Sequence, residues 1–248
     1  MRLDVYLTPA ELHPGALAGC VVGVIDVLRA STTITAAIDH GARAVIPFEG
    51  TDEVVERARQ FERAAVLLAG ERKMLTVPGF DLGNSPGEVT ADVVAGKTVL
   101  LSTTNGTHAL LQSQGARDTV IASYVNCGAV TALCRTALRS GLPVALVCAG
   151  QDRHFALEDA ACAGRFVRTI TRRFTGATLN DAARACALID RKYGDDLETL
   201  FHDSAHGYAL ADAGFGDDLV HCARLDAHPV VPVYVERHIV KLGNDRDR

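Results

Sequence analysis

The chain has 248 residues, 48% of them hydrophobic, and a formal net charge of −5. That length supports one large α/β domain or at most two small ones, and the mild acidity argues against a general nucleic-acid binder, which would carry a basic face. No apolar run is long enough to cross a bilayer, and residues 1–6 lack the apolar core of a signal peptide.

Residues 1–6 read instead as a first strand. Residues 21–25 are almost wholly apolar, as a strand covered on both faces requires, and 31–40 follow as a helix. A strand at 44–48 leads to a helix at 52–63, with Val54, Val55, Ala58 and Phe61 on one side, and then to a buried strand at 65–69. Ser85 as N-cap, Pro86 at the first helical position and Glu88 closing a capping box predict a helix start. Strand 98–101, helix 104–114, strand 119–122, helix 126–140 and strand 143–148 continue the alternation. A mostly helical segment runs from about 155 to 213, before a β-rich tail containing 230–235. This order predicts a single domain over 1–248. Its expected fold is a three-layer α/β/α arrangement around a mixed, largely parallel sheet, with the N-terminal and C-terminal strands as antiparallel edges.

The seven cysteines are odd in number and form no CxxC pair, so neither zinc-finger spacing nor a disulfide framework is present. Cys148 and Cys162 lie among small apolar residues, and buried reduced thiols of a cytoplasmic protein are expected.

In open α/β sheets the ligand crevice lies beyond the carboxyl ends of the strands. The first candidate turn there is Asp26-Val27-Leu28-Arg29-Ala30-Ser31-Thr32-Thr33. Asp26 ends an apolar strand, and backbone N–H groups at the following helix start would favour an anion, with Arg29, Ser31 and Thr32 as further donors. The competing explanation is a serine N-cap with Asp26 satisfying nearby amides. Four polar groups within one turn weigh toward function.

A second hydroxyl-rich helix start, Ser102-Thr103-Thr104-Asn105-Gly106-Thr107, follows another strand. Between them, Gly70-Glu71-Arg72-Lys73 runs into Gly79-Phe80-Asp81-Leu82-Gly83-Asn84-Ser85-Pro86. Glu71 there is placed to point into the crevice as a base or metal ligand. The fourth turn, Cys148-Ala149-Gly150-Gln151-Asp152, precedes Glu158 and Asp159 on a small-residue helix. Adjacent helical residues diverge by about 100°, so the two acids cannot face one spot equally. Asp26, Glu71 and Asp159 would suffice for Mg²⁺, which needs hard oxygens and few carboxylates. His206, in Ser204-Ala205-His206-Gly207, is the one histidine in a suggestive cluster, although a structural helix-end role competes. HxH, HExxH, Walker and GxGxxG patterns are absent from the sequence.

These motifs, in this order and with Ala156-Leu157-Glu158-Asp159 and Ser204-Ala205-His206-Gly207 after them, resemble the 2-phosphosulfolactate phosphatase (ComB) family across most of the chain. The resemblance implies a three-layer fold of that family's own type and a Mg²⁺-dependent phosphomonoester hydrolase. The implied reaction converts 2-phospho-3-sulfolactate and water to 3-sulfolactate and phosphate, a step of coenzyme M biosynthesis. On this reading Asp26, Arg29 and Glu71 are catalytic, and Asp26, Glu71 and Asp159 hold the metal. Ser31, Thr32, Arg72, Asn84, Thr103, Thr104, Asn105 and His206 position a small anionic phosphorylated substrate.

Asp26 is expected first as a metal ligand and second as a nucleophile, because the second aspartate of haloacid-dehalogenase phosphatases is replaced by Leu28. Two alternatives stand beside this reading: a Mg²⁺ phosphatase acting on another small phosphorylated acid, and a non-catalytic anion-binding protein. No nucleic-acid or membrane partner is expected, and a homodimer is the default assembly.

Overall fold

The computed structural model describes residues 1–174 and 176–243. The strands are β1 (Arg2–Tyr6), β2 (Val21–Ile25), β3 (Ala44–Phe48), β4 (Val66–Arg72), β5 (Leu75–Thr76) and β6 (Thr98–Ser102). They continue as β7 (Asp118–Ala122), β8 (Val144–Cys148), β9 (Thr178–Leu179), β10 (Pro232–Val235) and β11 (His238–Lys241). The helices are α1 (Ala30–Asp39), α2 (Thr51–Ala58), α3 (Ala91–Val94), α4 (Gly106–Gln112) and α5 (Cys127–Arg139). After them come α6 (Leu157–Thr171), α7 (Asp181–Tyr193), α8 (Leu197–Asp203), α9 (Ala205–Asp212) and α10 (Gly216–Cys222).

The described strands form one sheet in the order β5-β4-β6-β3-β11-β10-β7-β2-β8-β1-β9. Successive side chains of a strand point to opposite faces, so a strand covered on both must be apolar throughout. In β2, Val21 and Ile25 belong to the core cluster that holds residues of α5, α6 and α7, whereas Val22 and Val24 belong to the one that holds residues of α1 and α4. Each such aliphatic side chain contributes about 1.5–3 kcal/mol when fully buried. A smaller cluster of Ile46, Phe48, Val66 and Leu100 buries Val54 of α2. The result is a three-layer α/β/α fold around a mixed, mostly parallel sheet. The small residues of α6 serve close packing: Gly164 lies against the Cys186 backbone of α7, with no room for a Cβ.

The terminal strands are not the antiparallel edges that the sequence predicted; the antiparallel edge strand is the short β5, paired with β4. β1 is parallel to β8, with β9 parallel on its other side. The carboxyl-terminal hairpin β10–β11 lies in the middle of the sheet, antiparallel to β7 on one side and to β3 on the other. Without it, β3 and β7 would each expose an unpaired edge. Its apolar residues suit an internal position, since Ile239 is 0% and Val233 7% exposed. A second correction concerns residues 85–88, which form a turn rather than a helix start. The Ser85 hydroxyl donates to Asp218, and Glu88 Oε2 accepts from the Gly83 N–H at 2.7 Å. Both capping groups are therefore engaged elsewhere, and α3 begins only at Ala91.

All seven cysteines are free and buried. Burial pushes the thiols of Cys127, Cys134, Cys186 and Cys222 from 9.0 up to about 12. Below 9.0 these thiols are neutral whether the chain is folded or not. Above it the unfolded chain ionises first, and each thiol removes roughly 1.4 kcal/mol of stability per pH unit. The thermal midpoint should therefore hold from neutrality to about pH 9 and then fall steeply. A scan that stays level to pH 11 would contradict this burial. No helix among the described residues is long and apolar enough to cross a membrane.

Candidate active site

Asp26 leaves the carboxyl end of β2 and is only 7% exposed. Its N–H donates to Ser31 Oγ at 2.8 Å, and its Oδ1 accepts from the Ala30 N–H at 3.3 Å. The Leu28–Arg29 peptide bond is cis. Arg29 is 3% exposed, donating to Asp218 Oδ2 of α10 at 2.6 Å and to the Met74 carbonyl at 2.9 Å. Its guanidinium lies 4.4 Å from the centre of the Phe215 ring. A buried arginine needs an ionic partner of this kind to offset desolvation.

Glu71, at the end of β4, fastens that strand to the turn after β6. Its Oε1 accepts from both the N–H and the hydroxyl of Thr104 at 2.9 Å, and its Oε2 from the Met74 N–H at 3.0 Å. The Thr104 N–H is held by Glu71, and α4 starts at Gly106 and not at residue 104. Arg72 donates to the carbonyls of Glu71 (2.7 Å) and Glu49 (3.0 Å) and to Ser102 Oγ (3.0 Å).

Gly106 brings this turn directly against Asp26. A Cβ built there would lie 2.7 Å from both Asp26 Oδ2 and Ala30 Cβ. Gly106→Ala must therefore push α4 away from Asp26, with an expected stability loss of about 1–3 kcal/mol. Turnover should fall by about tenfold or more through displacement of the carboxylate. Denaturant unfolding and steady-state kinetics check both effects, and a variant of unchanged activity would show that this approach is not required.

Asp159 behaves differently from the expectation of a metal ligand. Its Oδ1 accepts from the Val27 N–H at 2.8 Å and its Oδ2 from the Gly150 N–H at 3.0 Å. Both oxygens thus hold backbone amides of the two strand-end turns that follow β2 and β8. Glu158, its neighbour on α6, takes the other direction: its Oε1 lies 3.4 Å from His206 Nδ1. The divergence of adjacent helical side chains separates these roles.

These turns enclose a cavity of about 430 Å³. It gathers Asp26, Arg29, Glu71 and Arg72 on its acidic and basic walls. Asn84, Thr103, Thr104, Asn105 and His206 complete the expected set that lines it. Ser31, Thr32 and Asp159 are not on its wall. The Ser31 hydroxyl accepts from Asp26 N–H and donates to the Val24 carbonyl. That of Thr32 donates to the Val27 carbonyl and also pairs with Ser123 Oγ. Both hydroxyls point inward because the helix begins at Ala30, which turns these positions toward the sheet.

The cavity also takes Met74, Gln151 and Asp152, which were not among the expected site residues. Gln151 and Asp152 carried the same signal as the others, a polar turn after a buried strand. Asp218, the partner of Arg29, carried none.

Burial pushes the Asp26 carboxyl up to about 6. The charge of His206 and the Ala30 amide oppose that shift, while Glu71 and Glu158 add to it. Burial works against a charged His206, but the hydrogen bond and charge of Glu158, and then Asp26, raise its pKa overall. Burial likewise raises Asp159, reinforced by Glu158 and Asp26.

Asn84 Oδ1 is buried without a hydrogen-bond partner. An orphaned acceptor in a ligand cavity awaits a donor or a cation. Among the described residues, no three of His, Cys, Asp and Glu converge to cage a metal by themselves. Mg²⁺ does not require that, since one or two carboxylates with waters and substrate oxygens suffice. Asp26 and Asn84 Oδ1 are hard oxygen donors on the cavity wall, and Glu71, although its oxygens accept from Thr104 and Met74, lies on that wall where Asp159 does not; the three fit such a partial shell.

A cavity at the carboxyl ends of the parallel strands, lined by buried carboxylates, arginines and a hydroxyl ridge, sits where an α/β fold of this kind holds its ligand. The chain belongs to the 2-phosphosulpholactate phosphatase family, whose model matches residues 6–237. It is 40% identical over 238 residues to a protein of Symbiobacterium thermophilum named "Probable 2-phosphosulfolactate phosphatase", covering 96% of this chain and 99% of that one. A Synechococcus protein (strain JA-2-3B'a(2-13)) of the same name is 38% identical over 249 residues, with 98% and 100% covered. A Clostridium botulinum protein (strain Alaska E43 / Type E3), also of that name, is 31% identical over 242 residues, with 98% and 100% covered.

Proposed function

We propose that this protein is a Mg²⁺-dependent phosphomonoester hydrolase that converts 2-phospho-3-sulfolactate and water to 3-sulfolactate and phosphate in the cytoplasm, within coenzyme M biosynthesis. The observation that carries this reading is the meeting of Asp26, Glu71 and the unpartnered Asn84 Oδ1 with Arg29 and Arg72 in one cavity. Family membership and the names of the relatives support the substrate. The buried free thiols suit a reducing compartment.

Asp26, Glu71 and Asn84 would hold the metal, which when bound neutralises charge developing on the phosphoryl oxygens. Arg29, fixed by Asp218 and by the Met74 carbonyl, presents a guanidinium that needs no reorganisation when the anion arrives. The Thr103-Thr104-Asn105 ridge, which abuts Asp26 and Glu71, orients the substrate beside them. His206, held by Glu158, which together with Asp26 raises its pKa, is placed to move a proton at the ester or water oxygen.

Phosphate release from 2-phosphosulfolactate, 2-phospholactate and phosphoglycerate tests the substrate. The highest kcat/KM is expected for the sulfonated compound. A clear preference for an unsulfonated acid would reassign the substrate while keeping the chemistry.

A further inference from the structure

The cavity does not end at the Thr103-Thr104-Asn105 ridge. Arg72, Thr103, Thr104 and Asn105 also line a second cavity of about 610 Å³ on the far side. These shared residues make the two cavities adjoining lobes of one cleft. The lobes differ in chemistry. The first holds the buried carboxylates Asp26 and Glu71. The second is lined by Arg153, His108 and Gln112 as well as Arg72, with Glu49 as its one acid. Glu49 Oε1 lies 3.7 Å from His108 Nδ1.

Arg153 is held over this second lobe by an ordered turn. The backbones of Gln151 and His154 exchange two hydrogen bonds of 3.0 and 2.8 Å, and Asp152 and Arg153 between them have φ of 49° and 66°. Gly150 starts the turn at φ 69°, where a Cβ would strike the His154 carbonyl. The turn is anchored at two further points. The Gly150 N–H donates to buried Asp159, and the Asp152 N–H donates to Asn105 Oδ1 of the ridge at 3.1 Å. Gln151 and Asp152 therefore face the first lobe while Arg153 faces the second. An arginine on a pre-ordered turn, with no ion pair of its own among the described residues, can bind a tetrahedral oxyanion without first ordering a loop.

We propose that the second lobe is a subsite for a second strong-acid group of the same substrate molecule, with Arg153 as its specificity-determining residue and His108 as its accessory donor. The substrate class is then a phosphomonoester that carries a second tetrahedral oxyanion, such as a sulfonate, on a short carbon arm. Its phosphate lies in the acid-lined lobe, and the arm crosses the ridge beside Arg72. This inference rests on the phosphatase reading for which lobe takes the phosphate, and it adds the residues that choose the substrate.

The test pairs binding with turnover. Calorimetric affinities for 2-phosphosulfolactate and 2-phospholactate are measured on the wild type, Arg153→Gln and Arg153→Lys, and phosphate release is followed in parallel. The wild type should bind the sulfonated compound about tenfold or more tightly than phospholactate, the span of one charge-assisted contact. Arg153→Gln should abolish that difference while leaving phospholactate affinity unchanged, and Arg153→Lys should restore part of it. Equal wild-type affinities, or a loss in Arg153→Gln shared by both compounds, would overturn the subsite. An affinity difference that disappears in Arg153→Gln but comes with no phosphate release would support the subsite and refute the phosphatase reading instead.

Discussion

Asp26→Asn is expected to lower kcat/KM for phosphate release by on the order of 10³-fold while the thermal midpoint holds or rises. The activity loss follows from removing a negative oxygen that would hold the metal, since metal charge stabilisation is a matter of several kcal/mol. Stability should move the other way because the native carboxylate is ionised at neutrality against its burial. Its pKa is raised from 3.8 to about 6, so its favourable contribution is complete below pH 3.8 and is lost as pH rises through about 6. The asparagine is neutral throughout and keeps the Oδ1 that accepts from the Ala30 N–H. Catalytic groups held in unfavourable surroundings commonly show this exchange of stability for activity. A variant that unfolds readily but retains turnover in its folded fraction would make Asp26 a structural residue.

Asp159→Ala should do the reverse, with stability falling first and activity falling as a consequence. The substitution leaves the Val27 and Gly150 N–H groups buried without acceptors, at about 1–3 kcal/mol each. Removing a buried acid whose pKa is raised offsets part of that cost. A net loss of about 2–4 kcal/mol is expected. The turn after β2 carries Asp26 and the turn after β8 carries Gln151 to Arg153, so both walls of the cleft loosen together. The signature is a lower thermal midpoint at every Mg²⁺ concentration. Unchanged stability with a weakened apparent Mg²⁺ affinity would return Asp159 to the metal-ligand role that the sequence suggested.

The contrast between these two acids shows what could be read from the sequence. Strands and helices announced themselves by apolar runs and period, and the polar turns that follow β2, β4, β6 and β8 held almost every group lining the first cavity. Which atom of a turn faces the cavity depends on angles set by packing. Ser31 and Thr32 sit one and two residues after the helix start at Ala30, and that single-residue boundary turned both hydroxyls inward.

Glu158 and Asp159 posed the same problem, and only the placement of α6 against β2 and β8 resolved it. Asp218 was out of reach for another reason. It lies 189 residues from Arg29, and nothing local marks it as the partner of a buried guanidinium. The central hairpin was legible as β structure, but strand pairing is non-local, so its position between β3 and β7 was not.

The most direct test of a Mg²⁺-dependent phosphatase centred on Asp26 is phosphate release from 2-phosphosulfolactate by the purified protein, with Mg²⁺ and then with excess EDTA. The proposed function predicts steady turnover with the metal, loss of turnover on chelation, and full recovery when Mg²⁺ is restored. Turnover that persists undiminished in EDTA, or no release from any phosphomonoester with Mg²⁺ present, would contradict it.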